Sequence, residues 1–440
     1  MTIQGLPTPR EFFHTRLDGL LAERFDDELL AHGVRVRSAL STSDDPDVDD
    51  ADLDRVDDVL RHATQLSLAR HLVADRYDSM GEFWDQVRLQ EDGRSAGTYW
   101  DSYEHGGRRR VERRLADAYG SPAALLVNSG MSAIYCALRV LGRRADGVVV
   151  HNHAYFETTQ LYDLLGPDMP IYRCDLTPTE VTTVRGRTRS TETVLVAETA
   201  TNAPQAHTVP LEDDSLSGTT ILLDNSVLGH GLNYRALKLE LPSARLVVVE
   251  SGSKYLCSMA SIGVVYGEKD DIEEIRLWAR RTGQQLQAPA FAHLHPIDIE
   301  LASTRAGLHG RAAAAFADAL SPDHWRVRLV GHQQAPAGLR KLVREHGPGA
   351  LVFLEPLRPT DLDAVVDEWT AASRSTPRRV RVQAGFGWSW TSTRAYSSLT
   401  LNQPDAPRYV RVSVGLLTER AAAEQARLFN EVATNTRLRS

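Results

Sequence analysis

Lysine is scarce in this chain: only four of its fifty basic residues are lysines. One of them, Lys254, closes the apolar run Ala244-Arg-Leu-Val-Val-Val-Glu-Ser-Gly-Ser-Lys254-Tyr255. A desolvated lysine amine can shed its proton and attack a carbonyl carbon, whereas a guanidinium stays protonated. Lys254 is therefore a candidate imine former. An isolated lysine in this context more often caps the exposed end of a strand, so the assignment depends on what else the chain places at strand ends.

Several such groups follow one another. Thr220-Ile-Leu-Leu-Asp224-Asn225-Ser226 reads as a buried strand ending in a carboxylate. A carboxylate there suits a protonated ring nitrogen, the partner pyridoxal phosphate (PLP) needs if its ring is to draw electrons; otherwise a strand-end Asp makes a turn or caps a helix. Ala123-Ala-Leu-Leu-Val-Asn128-Ser129-Gly130-Met131-Ser132 reads as a strand, a small-residue turn and an apolar helix from Ala133 to Leu141. Backbone N–H groups at such a helix start suit a phosphate, although a Ser-Gly turn alone is more often an ordinary cap. Val194-Leu-Val-Ala-Glu198-Thr199-Ala200-Thr201-Asn202-Ala203-Pro204 is a strand with a polar loop, and Val148-Val-Val-His-Asn-His-Ala-Tyr155 is a strand followed by an aromatic residue.

In this order the five segments resemble the cystathionine synthase, cystathionine lyase and methionine γ-lyase family of PLP enzymes, most closely over residues 96 to 270. The resemblance implies an α/β chain of fold type I, the PLP-dependent transferase fold. That fold has a mainly parallel, seven-stranded central sheet and a smaller α+β C-terminal domain. It implies that Lys254 forms the imine, Asp224 holds the ring nitrogen, Tyr155 stacks on the ring and handles protons, and Asn202 bonds near the ring hydroxyl. The phosphate falls to Ser129, Gly130 and Met131 with Ser251 and Ser253. Tyr409-Val-Arg411-Val-Ser413-Val-Gly415-Leu resembles the family strand whose arginine binds the substrate carboxylate, and Arg411's planar fork suits that task. Tyr103, and Ser389 in Gly385-Phe-Gly-Trp388-Ser389-Trp390-Thr391, fall beside the substrate in the same comparison. The implied partners are a small amino-acid substrate and further copies of this chain, as a dimer or a dimer of dimers with active sites shared across the interface.

The chain departs from the family pattern where substrate should sit. Tyr99-Trp100-Asp101-Ser102-Tyr103 lacks the family's phosphate-binding arginine, for which Arg108, Arg109 or Arg110 are candidate substitutes; read plainly, that run is a charged face leading into the helix around Val111 to Tyr119. Phe156-Glu157 replaces the glycines that follow the stacking Tyr, and Cys257-Ser-Met-Ala260 replaces Gly-His-Ser-Asp. Cofactor binding reads as kept and substrate choice as changed. The implied activity is elimination of a side-chain leaving group, sulfur or halide, from the β or γ carbon of an amino acid, with a halogenated substrate and an unsaturated product as one form. γ-Replacement is the alternative within the family, and a PLP-fold interaction subunit without catalysis the alternative outside it.

The elements that must position these groups follow from periodicity. Strands alternate with helices through the centre, which predicts a mainly parallel sheet with ligand groups at its strand ends. We divide the chain into an N-terminal helical extension (1–95), a large cofactor domain (96–290) and a small domain (291–440). In the last, an Ala-rich helix through Arg311 to Leu320 precedes strand-like Trp325 to Val330 and Ala350 to Leu354, the Arg411 strand and a helix from Thr418 to Val432. In the first, Phe12 to Gly33 and Val56 to Tyr77 have helical spacing. The acidic stretch Ser43 to Asp54 between them fails as a calcium loop, since Asp50 stands at the turn-glycine position and Val56 at the closing carboxylate. His151 and His153 have no third ligand at suitable spacing, so no metal is expected. A net charge of -8 gives no electrostatic case for nucleic acid. No apolar run is long enough for a membrane span, no signal-peptide pattern opens the chain, and three scattered cysteines make no disulfide framework. A cytoplasmic enzyme is the resulting expectation.

Overall fold

The computed structural model describes residues 6–22, 106–152, 154–163, 165, 169–174, 180, 183, 193–200, 219–256, 261–286, 290–294, 296–329, 349–376, 380–383, 385–396 and 408–439. The helix expected over Val56 to Tyr77, the acidic stretch, Tyr103, His153, Asn202 and the Cys257 to Ala260 segment lie outside these residues. Helix α1 (Pro9–Ala22) covers the start of the segment expected to be helical over Phe12 to Gly33, of which residues 23–33 lie outside those described. It buries Phe12 and Phe13, and the Arg16 guanidinium pairs with Asp298 at 2.5 Å.

Seven strands form the large sheet: β1 (Ala123–Val127), β2 (Val148–His151), β3 (Ile171–Cys174), β4 (Val194–Glu198), β5 (Thr220–Asp224), β6 (Arg245–Ser251) and β7 (Gly263–Gly267). Their spatial order is β1-β7-β6-β5-β4-β2-β3, and β7 alone runs against its neighbours. The apolar runs of β2, β4 and β6 are buried almost throughout because both faces of a parallel sheet are covered. Helix α2 (Gly106–Tyr119) precedes β1 and α3 (Gly130–Gly142) follows it. After β2 comes α4 (Phe156–Asp163), after β5 comes α5 (Tyr234–Glu240), and after β7 comes α6 (Lys269–Arg281). Strand alternation divides the core. Leu246 and Val248 of β6 join one cluster with Leu223 and Tyr266, while Val247 and Val249 join another with Leu222 and the buried face of α3.

After the short α7 (Pro296–Glu300), the small-residue helix α8 (Ala302–Asp318) is buried along most of its length and leads into a second sheet. That sheet has the order β10-β11-β12-β9-β8, from β8 (Trp325–Leu329), β9 (Leu351–Pro356), β10 (Val380–Val382), β11 (Thr391–Tyr396) and β12 (Tyr409–Ser413). Helices α9 (Leu362–Ser373) and α10 (Glu419–Arg439) pack on its outer face around Trp369 and Phe429. In β12 the period of two sends Val410 and Val412 into that outer core and leaves Tyr409 and Arg411 facing the large sheet. This face is where the two halves meet.

Candidate active site

The register brings the expected strand-end groups to one edge. Val127 of β1 and Ser251 of β6 both pair with Gly263 of β7, so the turn after β1 lies beside the end of β6. Glu198 pairs with Asp224, and Asp224 with Val249, so the carboxylates of β4 and β5 end level with it. Ligands of open α/β sheets collect at this carboxyl edge.

The turn after β1 is an N-cap. Ser129 Oγ accepts from the Ser132 amide at 3.0 Å and donates to Ser132 Oγ at 3.0 Å, so its hydroxyl is engaged in starting α3. The amides of Gly130 and Met131 then lie in the first turn, where an α-helix offers no acceptor. Gly130 sits so close to β6 that a Cβ there would stand 3.3 Å from Ser251 Cβ. Ser251 and Ser253 hold their hydroxyls 3.0 Å apart at the same place. Amides and hydroxyls together make an anion-binding corner.

Lys254 follows at once, its amide donating to the Ser251 carbonyl at 3.2 Å. Its Nζ lies 4.7 Å from the centroid of the Phe386 ring. Burial pushes the Lys254 amine down to about 8, helped by the positive charge of Arg411 and opposed by Asp224 and Glu157. Asp224 moves the other way: burial raises its proton affinity, hydrogen bonds from Ser226 lower it, Glu250 raises it and Lys254 lowers it. The Ser226 amide bonds Asp224 Oδ1 at 2.8 Å and fixes the carboxylate's orientation.

The small sheet supplies the opposite wall. Arg411, 4 % exposed, lies in register between Arg394 and Phe353, with its guanidinium carbon 5.1 Å from the Tyr396 ring centroid. Tyr396 in turn stacks on Tyr409. Tyr155 donates its amide to Glu198 Oε1. Burial pushes its phenol far upward, followed by the charge and hydrogen bond of Glu157, against the opposing charge of Arg411. Arg411 and Glu157 thus act on both Tyr155 and Lys254. Ser389 is buried and its carbonyl accepts from Leu416 at 2.8 Å, which anchors the 385–390 loop to the end of β12.

Gly387 sets how close that loop comes. It has φ +80°, and a Cβ there would lie 2.8 Å from the Lys254 carbonyl carbon, so glycine is required for both conformation and space. Arg305 of α8 donates Nε to the Gly387 carbonyl at 3.1 Å and holds the turn against Lys254. Phe386, Tyr396 and Glu157 are the site residues that sequence reasoning did not assign. For Glu157 a signal existed, since a carboxylate stands where the family pattern has glycine. For Phe386 the signal was the Gly385-Phe-Gly segment that the resemblance places beside the substrate, and for Tyr396 there was none.

The arginine run before Val111 belongs to α2. Arg108 is buried, donates to the Leu286 carbonyl at 3.1 Å and lies 3.9 Å from Glu112. Arg109 pairs with Glu273 at 3.3 Å. His151 is buried at the end of β2, and the described residues contain no cluster of metal-ligating side chains. No described helix is long and apolar enough to cross a membrane.

The groups at this edge fit PLP: an amine with weakened proton affinity, a carboxylate on the neighbouring strand end, and a hydroxyl-amide corner for a phosphate. Residues 83–337, more than half of the chain, match the model of the family described as Cys/Met metabolism PLP-dependent enzyme. Among solved structures, cystathionine gamma synthase from Xanthomonas oryzae pv. oryzae, in complex with aminoacrylate and cysteine, is 19% identical with a TM-score of 0.64. The match covers 76% of this chain and 88% of that one. Cystathionine gamma lyase from Micromonospora echinospora is 20% identical with a TM-score of 0.63, covering 78% and 90%. At such identity the likeness establishes a shared fold. Among curated proteins no sequence matches.

Proposed function

Since this chain belongs to the Cys/Met metabolism PLP-dependent enzymes, whose cofactor is pyridoxal 5'-phosphate, we propose that it is a lyase. The reaction is elimination of a sulfur or halide leaving group from the β or γ carbon of an amino acid. A bound cofactor would supply an imine-forming aldehyde and a protonated ring able to draw electron density from the substrate Cα. Asp224 holds the proton on the ring nitrogen, favoured by the pairing of opposite charges in a buried place. Arg411 binds the substrate carboxylate through its planar fork. Lys254 would hold the cofactor and, with its amine free, accept the Cα proton; an amine pushed down to about 8 is matched to that task near neutral pH.

A γ-leaving group requires a second proton to leave Cβ. We assign proton handling at this stage to Tyr155, whose phenol, held protonated by burial, donates its hydrogen bond to Glu157. The observation that supports this reading is that Lys254, Tyr155 and Glu157 lie within charge range of Arg411 from the second sheet, whose guanidinium sits 5.1 Å from the Tyr396 ring. Glu157 places a carboxylate where the family pattern has glycine, which supports a specialised substrate such as a halogenated amino acid yielding an unsaturated product. We read the site as completed by a second copy of the chain, through the Tyr99 to Tyr103 segment.

The test is a panel of β- and γ-substituted amino acids given to the PLP-loaded protein, with release of halide or thiol, ammonia and 2-oxo acid, and unsaturated amino acid followed by mass. Loss of the leaving group without an added nucleophile supports elimination. Product formed only when a thiol is added assigns γ-replacement instead. An amino acid that changes the cofactor's visible spectrum yet loses no side-chain group under either condition overturns the lyase reading.

A further inference from the structure

Strand β6 presents a second carboxylate on its other face. Glu250 is fully buried one residue before Ser251, and alternation turns it away from the cofactor edge into the cluster beneath the sheet. Among the described residues, the cation-forming side chain beside it is His230, whose Nε2 lies 3.3 Å from Glu250 Oε2. The same Nε2 lies 2.9 Å from the Tyr266 hydroxyl. Further polar and titratable neighbours among the described residues include Tyr119 from α2, Asn225 and Asp224 from the end of β5, and Tyr255 after β6. The Tyr119 ring packs 4.8 Å from His230 and 4.1 Å from Tyr266, and its hydroxyl accepts from Asn225 Nδ2. The Tyr255 hydroxyl donates to the Val227 carbonyl.

An unneutralised carboxylate sealed in this cluster is costly by itself, and a like charge behind Asp224 works against Asp224 remaining an anion. Its field does reach Asp224 and raises that group's proton affinity. Asp224 must be anionic to hold a pyridinium. We infer that His230 and Glu250 form a buried imidazolium–carboxylate pair, Nε2 and Oε2 lying 3.3 Å apart, whose work is to keep Asp224 charged by cancelling the like charge behind the cofactor. Neither residue touches the cofactor; both are positioning residues that act through Asp224. This rests on the reading of Asp224 as the ring-nitrogen partner.

A merely structural pair and an electrostatic one give different mutant cycles. His230→Gln leaves Glu250 without its neutralising charge and lowers PLP affinity by about tenfold, the change that one pKa unit at Asp224 corresponds to. Glu250→Gln, which removes the offending charge, leaves affinity at or above that of the parent protein. Adding Glu250→Gln to His230→Gln restores it. PLP dissociation constants are measured for the four proteins, with melting temperatures as a check on folding. A double variant as weak as His230→Gln overturns the proposal, as does a Glu250→Gln loss equal to that of His230→Gln.

Should the variants fail to fold, nitrogen-15 shifts of histidine in the cofactor-free parent protein decide: both ring nitrogens of His230 protonated at neutral pH is the expected result. A neutral ring overturns the pair whatever Asp224 does. If the pair is charged but Asp224→Asn binds PLP as well as the parent, the failure belongs to the assignment of Asp224.

Discussion

The proton affinity of Lys254 gives a prediction that needs no substrate. Burial and the charge of Arg411 bring its amine from 10.5 to about 8. At about pH 7.5 roughly a quarter of such amines are unprotonated, against about one in a thousand for an ordinary lysine. Cofactor-stripped protein, pulse-labelled with a trace acylating reagent over a range of pH and read peptide by peptide, should show a Lys254 midpoint near 8, well below the roughly 10.4 of a free lysine side chain. Arg411→Met should move the Lys254 midpoint upward, since it removes the second-largest cause of the depression.

The same shift has a stability consequence. The folded state holds the Lys254 proton less tightly than the unfolded chain, so the cost of folding is complete below about pH 8 and vanishes above 10.5. Over that window Lys254 contributes a rise of about 3 kcal/mol with increasing pH. A labelling midpoint for Lys254 at the roughly 10.4 of a free lysine side chain would refute the desolvation argument and, with it, the readiness of this amine for chemistry.

Arg411→Lys should keep the cofactor's colour and weaken amino-acid binding by roughly 2 to 5 kcal/mol, the loss typical when one partner of a buried charge pair is removed; unchanged KM and kcat would exclude Arg411 as the carboxylate clamp. Gly387→Ala forces a Cβ into a left-handed conformation and against the Lys254 carbonyl carbon, so urea denaturation should show a loss of about 2 to 5 kcal/mol, summing backbone strain and overpacking. Glu157→Gln should bring the Tyr155 phenol back toward the ordinary tyrosine range, since charge and hydrogen bond from Glu157 both oppose its ionisation; ultraviolet difference titration against a Tyr155→Phe background checks this, and an unaltered curve would separate the two residues.

Much of the site was legible because its groups sit at strand ends, where local pattern alone specifies position. Asp224 and Lys254 each close an apolar run, and the Ser129 turn joins a strand to a helix; burial on both faces of a parallel sheet then brings such ends to one edge. Arg411 was legible through its motif, and the alternation of β12 explains why it faces inward while Val410 and Val412 do not. Contacts made across the chain were not. Phe386 and Gly387 reach Lys254 from a loop far along the sequence, and neither a glycine nor a phenylalanine in a loop announces its neighbour. Arg108 shows the reverse case: a run of three arginines reads as a solvated face, yet one of them is buried against the Leu286 carbonyl because α2 packs that side inward.

The two faces of β6 separate what the fold requires from what the chemistry requires. On one face Ser251 and, just beyond, Ser253 and Lys254 meet the phosphate corner and the ring position; on the other, Glu250 lies sealed among His230, Tyr119 and Tyr266. A sheet indifferent to function would place valine at position 250 as it does at 248 and 249, because burial favours it and a carboxylate is costly there. Glu250 also acts on Asp224 in the unfavourable direction. A residue that costs stability and opposes its neighbour persists sensibly only if it is neutralised, and the atom placed to do so is His230 Nε2. The electrostatics of the cofactor edge therefore have to be reckoned through the sheet as well as along it.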